Sequence, residues 1–465
     1  MMKGKEKLLE NLRYVFEPKS IAVFGASPTP GKLGNVVMKN LVLGEYAGKI
    51  YPVNPKYDEV LGHKCYGNVL RVKEKIDCAI VVTPAETVPK IINECGRMGV
   101  RGAVVLSGGF SEVGRNDLEE ELAKAALRYN ISLVGPNCLG IYNPYARVDS
   151  NFNPAYKSGR PGPGSISFIT QSGAVGACTI DIAAHYGVGI AKFISYGNGS
   201  VLNEADYLEY LENDKQTKSI ILYIEGAKDG RKLFEAMRKV NRKKPIVAMK
   251  AGKYGKAMKA AKSHTGNLAG NYLAYRAAFR QAKVTEAENF DEIFDFIRIF
   301  NQPLPRGRRV AVITNGGGMG VLTADALEMH GFSMPELEEK AKTTLRKMMP
   351  GYVNIENPLD LVGDAGVGAY DKAIELAMQD KNIDSLIIIV LYQTPRIDER
   401  ILGVLTRASD DRRKPVAVIS VGGSYTEEKR RVLEGYGVPT YAYPLAAVKA
   451  LEKLTVYSEY RRKKD

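Results

Sequence analysis

Four histidines occur in the chain, and His264 is the one whose neighbours could support chemistry. It lies in the stretch Lys259-Ala-Ala-Lys-Ser-His-Thr-Gly-Asn-Leu-Ala-Gly270, between two hydroxyl residues and downstream of a run of lysines that begins at Lys250. A strand-like run, Pro245-Ile-Val-Ala-Met249, ends just before those lysines. Loops that leave the C-terminal ends of strands carry much of the chemistry of α/β proteins. Imidazole titrates near about pH 6.5, so at neutral pH it can act as nucleophile, base or ligand. Surrounding lysines would concentrate a phosphate-bearing substrate. A lone loop histidine needs no function, so the case for His264 rests on what else the chain supplies.

Two further groups stand at strand ends. The run Ser219-Ile-Ile-Leu-Tyr-Ile224 ends in Glu225, a carboxylate that could be solvated or could cap a helix. Ser165-Ile-Ser-Phe-Ile-Thr170 runs into Gln171-Ser-Gly-Ala-Val-Gly176, a Ser-Gly turn that opens a helix and can hold an anion through amides and hydroxyl together. Nearer the start, the strand Ser20–Gly25 leads through Ala26–Gly34 into a helix, a Rossmann-like unit without the G-x-G-x-x-G spacing. The next strand ends in Asn54-Pro-Lys56, where an NAD-binding domain places an acid for the ribose hydroxyls. A lysine there suits a phosphate instead, which favours CoA or another phosphorylated adenosine over NAD.

The elements that must position these groups alternate along the whole chain, short β-rich runs with helical segments, as in parallel sheets covered by helices. A length of 465 residues exceeds a single ordinary core. Stretches rich in Asn, Pro and Gly at Asn151–Gly164 and Asn301–Gly307 read as linkers. Ile313-Thr-Asn-Gly-Gly-Gly-Met-Gly-Val321 lines up with Ile169-Thr-Gln-Ser-Gly-Ala-Val-Gly-Ala177, so the last unit reads as a diverged copy of the one before it, with nothing to match His264. Asn357-Pro-Leu-Asp-Leu361 reads as a helix-start loop, and Tyr196–Ser200 with Asp206 as a substrate-side loop. The net charge of +14 is spread along the chain without a nucleic-acid motif. No apolar run approaches membrane-spanning length, the opening residues lack a secretory core, and five cysteines form no C-x-x-C pair. The expectation is a cytoplasmic protein that binds neither nucleic acid nor membrane and has no metal site or prosthetic group.

Lys262-Ser-His-Thr-Gly266, Gly135-Pro-Asn-Cys-Leu-Gly140 and the Ser172 turn together resemble the ADP-forming acyl-CoA synthetases, the NDP-forming relatives of succinyl-CoA synthetase. The third unit matches the α subunits of the acetate–CoA ligase (ADP-forming) branch. The resemblance implies an α/β fold with a Rossmann-like CoA-binding domain at 1–150 and two flavodoxin-like domains at 151–301 and 302–465. It implies that His264 accepts a phosphoryl group, that Glu225 hydrogen-bonds its ring, and that Ser172, Gly173 and Ala174 cradle phosphate. Ser27, Lys32, Lys56, Thr83 and Asn137 would touch CoA. The implied reaction turns acyl-CoA, ADP and phosphate into acid, CoA and ATP. No Walker loop or ATP-grasp stretch is present, so ADP or ATP with Mg²⁺ would be held by a β subunit carrying an ATP-grasp domain, in an α₂β₂ assembly. Two other readings are an NAD-dependent dehydrogenase and a non-catalytic CoA-binding regulator on the same fold. The retained Ser172, Glu225 and His264 speak against the second.

Overall fold

Short runs of β-branched and aliphatic residues, buried on both faces, build three large, mainly parallel sheets, as expected for strands sandwiched between helices. A computed structural model describes residues 2–257 and 271–463, grouped into two compact units. The first unit comprises Met1–His185 and Gly189–Glu286 and holds two of the sheets. Its N-terminal sheet runs Lys49–Val53, Ser20–Phe24, Cys78–Val81, Gly102–Val105, Ser132–Val134, all parallel. In chain order this is the doubly wound arrangement 2-1-3-4-5, whose switch point lies where the first and third strands part. Its second sheet runs Thr285–Glu286, Ile246–Lys250, Ser219–Ile224, Pro163–Thr170, Ile190–Ser195, and then Gly140–Asn143 and Val148–Asp149. The first five are parallel and repeat the 2-1-3-4-5 order, while the last two add an antiparallel edge.

That edge is why the chain between the two sheets is not a loose tether. Gly140–Asn143 lies within 1–150 yet hydrogen-bonds to the Ile190–Ser195 strand of the second sheet. The residues read as a linker are stapled: Asn40 donates through Nδ2 to the carbonyls of Asn151 and Asn153, and Arg160 donates to the buried Asp149 carboxylate at 2.6 Å. One apolar core, including Val23, Leu41, Ile141, Ile169, Leu222 and Ala248, runs through both sheets.

The second unit comprises Ala287–Asp465 with Tyr186–Val188. Its sheet runs Leu359–Asp360, Val310–Thr314, Ser385–Ile389, Val416–Ile419, Thr440–Tyr441, again in the order 2-1-3-4-5. The repeat extends to the turn chemistry. Thr170 and Thr314 each accept the backbone N–H two residues on and donate to that residue's carbonyl. One expectation needs correction. Leu359–Asp360 pairs with Ile313 and Thr314 as an edge strand and does not start a helix, because Asn357 ties the segment to the backbone of Val310 and Val312. The helix Phe290–Ile299 packs within this unit, where Lys449 bonds its Glu292 and Arg298 donates to the Thr440 carbonyl.

Where the two sheets of the first unit meet, Gly197 has φ of 54°, and a Cβ there would collide with the carbonyl oxygens of Pro136 and Asn137. Asn198 N–H donates to Pro136 O at 3.0 Å in the same seam. Gly197→Ala should therefore lower stability by about 1 kcal/mol or more. A thermal melt with an unchanged midpoint would show that the seam relaxes freely.

Candidate functional site

The turn after the strand Ser219–Ile224 is held on three sides. Gln171 Oε1 accepts the backbone N–H of both Glu225 (2.9 Å) and Gly226 (3.0 Å). Lys250, only 1% exposed, donates to the Glu225 carbonyl at 2.8 Å and to the Ala251 carbonyl. Tyr275 Oη accepts the Ala227 N–H at 2.7 Å. The Glu225 carboxylate takes a long hydrogen bond from Tyr223 Oη at 3.4 Å. Burial and the Glu225 charge push the Tyr223 phenol up, so it stays a donor at neutral pH.

Opposite this turn, Thr170 Oγ1 closes a tight loop onto Ser172, and Ser172 Oγ accepts the Val175 N–H at 3.4 Å. The helix Gly173–Tyr186 starts there. Its first turn leaves amide N–H groups without intrahelical partners and carries partial positive charge, a setting that favours an anion. Ser172, Gly173, Ala174 and Glu225 line one cleft of about 750 Å³ together with Asn137, Cys138 and Asn198. A helix N-terminus can hold a phosphoryl group there while the carboxylate fixes the tautomer of an imidazole.

Asn137, with φ of 56°, donates its N–H to the Ser107 carbonyl and its Nδ2 to Asn198 Oδ1 at 3.2 Å. Asn198 in turn donates to Glu112 (2.6 Å) and Glu119 (2.9 Å). Burial drives the Glu112 carboxyl upward, but the donors from Asn198, Gly109 and Phe110 outweigh it and hold the group below the usual range. Burial pushes the Cys138 thiol up to about 12, and its Sγ donates to the Val105 carbonyl, so it is packing rather than a nucleophile.

The other residues expected at CoA form a separate group at the first sheet's strand ends. Gly34 opens the helix Leu33–Leu43 so close to the Gly25 carbonyl that a Cβ would collide with it. Asn35 Nδ2 donates to the carbonyls of Ser27 and Pro28, and Asn54 Nδ2 to that of Ala26. Lys56 N–H donates to Asn54 Oδ1. Ser27 and Thr29 hydrogen-bond the Tyr57 phenol and, with the Lys32 and Lys56 charges, lower its pKa. Thr83 stands beside the Gly25 turn, its hydroxyl accepting from Thr87. Ser27, Lys32, Lys56 and Thr83 do not line the cleft of Glu225. His264 lies outside the described residues.

Asp206 is not a substrate-side group: it completes a capping box with Asn203 and pairs with Lys232 and Lys5. Lys250 is not part of a solvated basic surround, because its ammonium is spent on buried carbonyls. Gln171 and Tyr57 escaped the sequence reading. Gln171 sits inside the motif that named Ser172, but a side chain that straps a neighbouring strand leaves no spacing signal.

Residues 19–144 match the family described as CoA binding domain, 163–300 the Succinyl-CoA ligase like flavodoxin domain, and 310–461 the Ligase-CoA domain. The acetate–CoA ligase [ADP-forming] II subunit alpha of Pyrococcus furiosus is 41% identical over 93% of this chain and 95% of its own. The acetate–CoA ligase [ADP-forming] I of Archaeoglobus fulgidus is 41% identical over 97% of this chain, which spans 64% of that relative's length. The dinucleotide forming acetyl-coenzyme A synthetase 1 of Ca. Korarchaeum cryptofilum, solved in complex with phosphate and ADP, superposes with a TM-score of 0.88 at 34% identity over 97% of each chain. No described helix is long and apolar enough to cross a membrane.

The group around Tyr57 yields a binding prediction. Calorimetry should find CoA bound and NAD not, with Lys56→Ala weakening CoA by about 1 kcal/mol or more through loss of a charge-assisted hydrogen bond. Equal affinity for the two nucleotides would reject the assignment.

Proposed function

The chain belongs to the ADP-forming acetate–CoA ligase family, and on that premise we propose that it is the CoA-binding, phosphoryl-carrying subunit of an ADP-forming acyl-CoA synthetase. The observation that carries the reading is one cleft lined by the Glu225 carboxylate, the Ser172 helix N-terminus and Asn137. Phosphate attacks the thioester carbonyl of acyl-CoA, the C–S bond breaks, and CoA leaves as the thiolate, giving an acyl phosphate. His264, with one ring nitrogen hydrogen-bonded to Glu225, attacks the phosphorus with the other. The carboxylate of the acid departs and phosphohistidine remains. ADP then takes the phosphoryl group to become ATP.

Ser172, Gly173 and Ala174 are taken as the phosphate cradle. Ser27, Lys32, Lys56, Thr83 and Asn137 are taken as the CoA contacts. Acetate is the acid that the relatives' names favour. Among the described residues no group of three or more His, Cys, Asp or Glu side chains converges as a metal site does. We assign Mg²⁺, with ADP, to a β subunit carrying an ATP-grasp domain, in an α₂β₂ enzyme. Relatives named as alpha subunits, nearly as long as this chain, support that division. We place the enzyme in the cytoplasm.

One experiment tests the sequence of steps. Incubated with acetyl-CoA and radiolabelled phosphate, the chain should acquire an acid-labile, base-stable label that His264→Ala loses. ATP should appear only when ADP, Mg²⁺ and the β subunit are added. Label surviving in His264→Ala would overturn the assignment of the histidine, and ATP made by the chain alone would overturn the division of labour. No label in either protein would favour a CoA-binding regulator.

A further inference from the structure

A protonated lysine has three N–H donors and no acceptor, and buried it must use them. Lys250 uses two on carbonyl oxygens, that of Glu225 at 2.8 Å and that of Ala251, and its Nζ lies 4.9 Å from the centre of the Tyr275 ring, in reach of the π face. The two carbonyls belong to neighbouring parallel strands, Ser219–Ile224 and Ile246–Lys250, each at the residue just past the strand end. One is the turn that presents Glu225. The other is the first residue of the chain that leads on to His264. Tyr275, in the helix Tyr272–Ala282 that follows that stretch, accepts the Ala227 N–H and so grips the same turn from the far side. Burial lowers the ammonium's pKa while the Glu225 charge opposes the shift.

From this clamp we infer that Lys250 is a positioning residue for Glu225. It acts through the backbone. Holding the Glu225 carbonyl fixes the peptide plane between residues 225 and 226, and with it the direction in which the carboxylate leaves the turn. Gln171 holds the N–H side of the same two residues, so the plane is gripped at both edges. Bridging to Ala251 sets the Glu225 turn and the start of the histidine-bearing stretch at one spacing. The inference rests on the reading that Glu225 orients His264 for phosphorylation.

The test compares rates of phosphohistidine formation from acetyl-CoA and labelled phosphate in the assembled enzyme. Lys250→Met fills the volume but bonds neither carbonyl, and should slow labelling about tenfold or more, since small misplacements of catalytic groups are costly. The KM for acetyl-CoA should stay within about twofold, a split that general loosening of the fold would not give. In Lys250→Ala, added ethylammonium should restore part of the rate where sodium at equal ionic strength does not. Should Lys250→Met fail to fold, Tyr275→Leu removes the other arm of the clamp and should slow labelling in the same way. Wild-type labelling rates in the variants would overturn the inference and leave the proposed function standing. An unlabelled wild-type enzyme would overturn both.

Discussion

Everything at the site depends on the satisfaction of a few buried polar groups around the Glu225–Gly226 turn. A parallel strand that ends inside a protein exposes N–H and carbonyl groups that the ladder no longer pairs, and each left unmet costs about 1–3 kcal/mol. Gln171 meets two N–H groups with one oxygen, Tyr275 meets a third, and Lys250 meets two carbonyls with one ammonium. The turn is thereby fixed in one conformation. A carboxylate on it can be aimed, as an orienting group requires.

The repeat in the second unit shows what that chemistry adds to a shared scaffold. Strand registers equate Thr170 with Thr314 and Tyr223 with Ile389, so Leu391 stands where the first unit has Glu225 and Ser420 where it has Lys250. Asn315 replaces Gln171 and still straps the turn, exchanging hydrogen bonds with the backbone N–H and carbonyl of Leu391. The strap survives and the carboxylate and ammonium do not. Strapping the third strand to the first is common to both units, whereas the Glu225 carboxylate and the Lys250 ammonium occur in the first unit's copy alone.

Legibility in the sequence followed the same division. Buried strands are continuous apolar runs, so the α/β class, the alternation of elements and the repeated Gly-rich turn could be read directly. Strand ends in parallel sheets point to one edge, which placed Ser172 and Glu225 at strand ends, but their roles came only from the family resemblance. What could not be read were contacts set by tertiary register. Lys250 looks like one lysine among several until its strand is placed beside that of Glu225. Asp206 looks like a loop acid until Asn203 and Lys232 are found around it. Tyr57 joins Ser27 and Thr29 only because the second strand lies next to the first. The linker at Asn151–Gly164 had the composition of a tether, yet Asn40 and Arg160 bind it through side chains whose partners are far away in sequence.

The role proposed for Glu225 is to orient a phosphoryl-accepting imidazole. Its most direct test uses acetyl phosphate as donor, which bypasses the thioester step, and measures by rapid quench the rate at which phosphate reaches the protein. Glu225→Gln keeps the size of the side chain and removes its charge. The account predicts a loss of about 10²-fold or more in that rate, with acetyl-CoA affinity unchanged. Equal rates in the two proteins would contradict it.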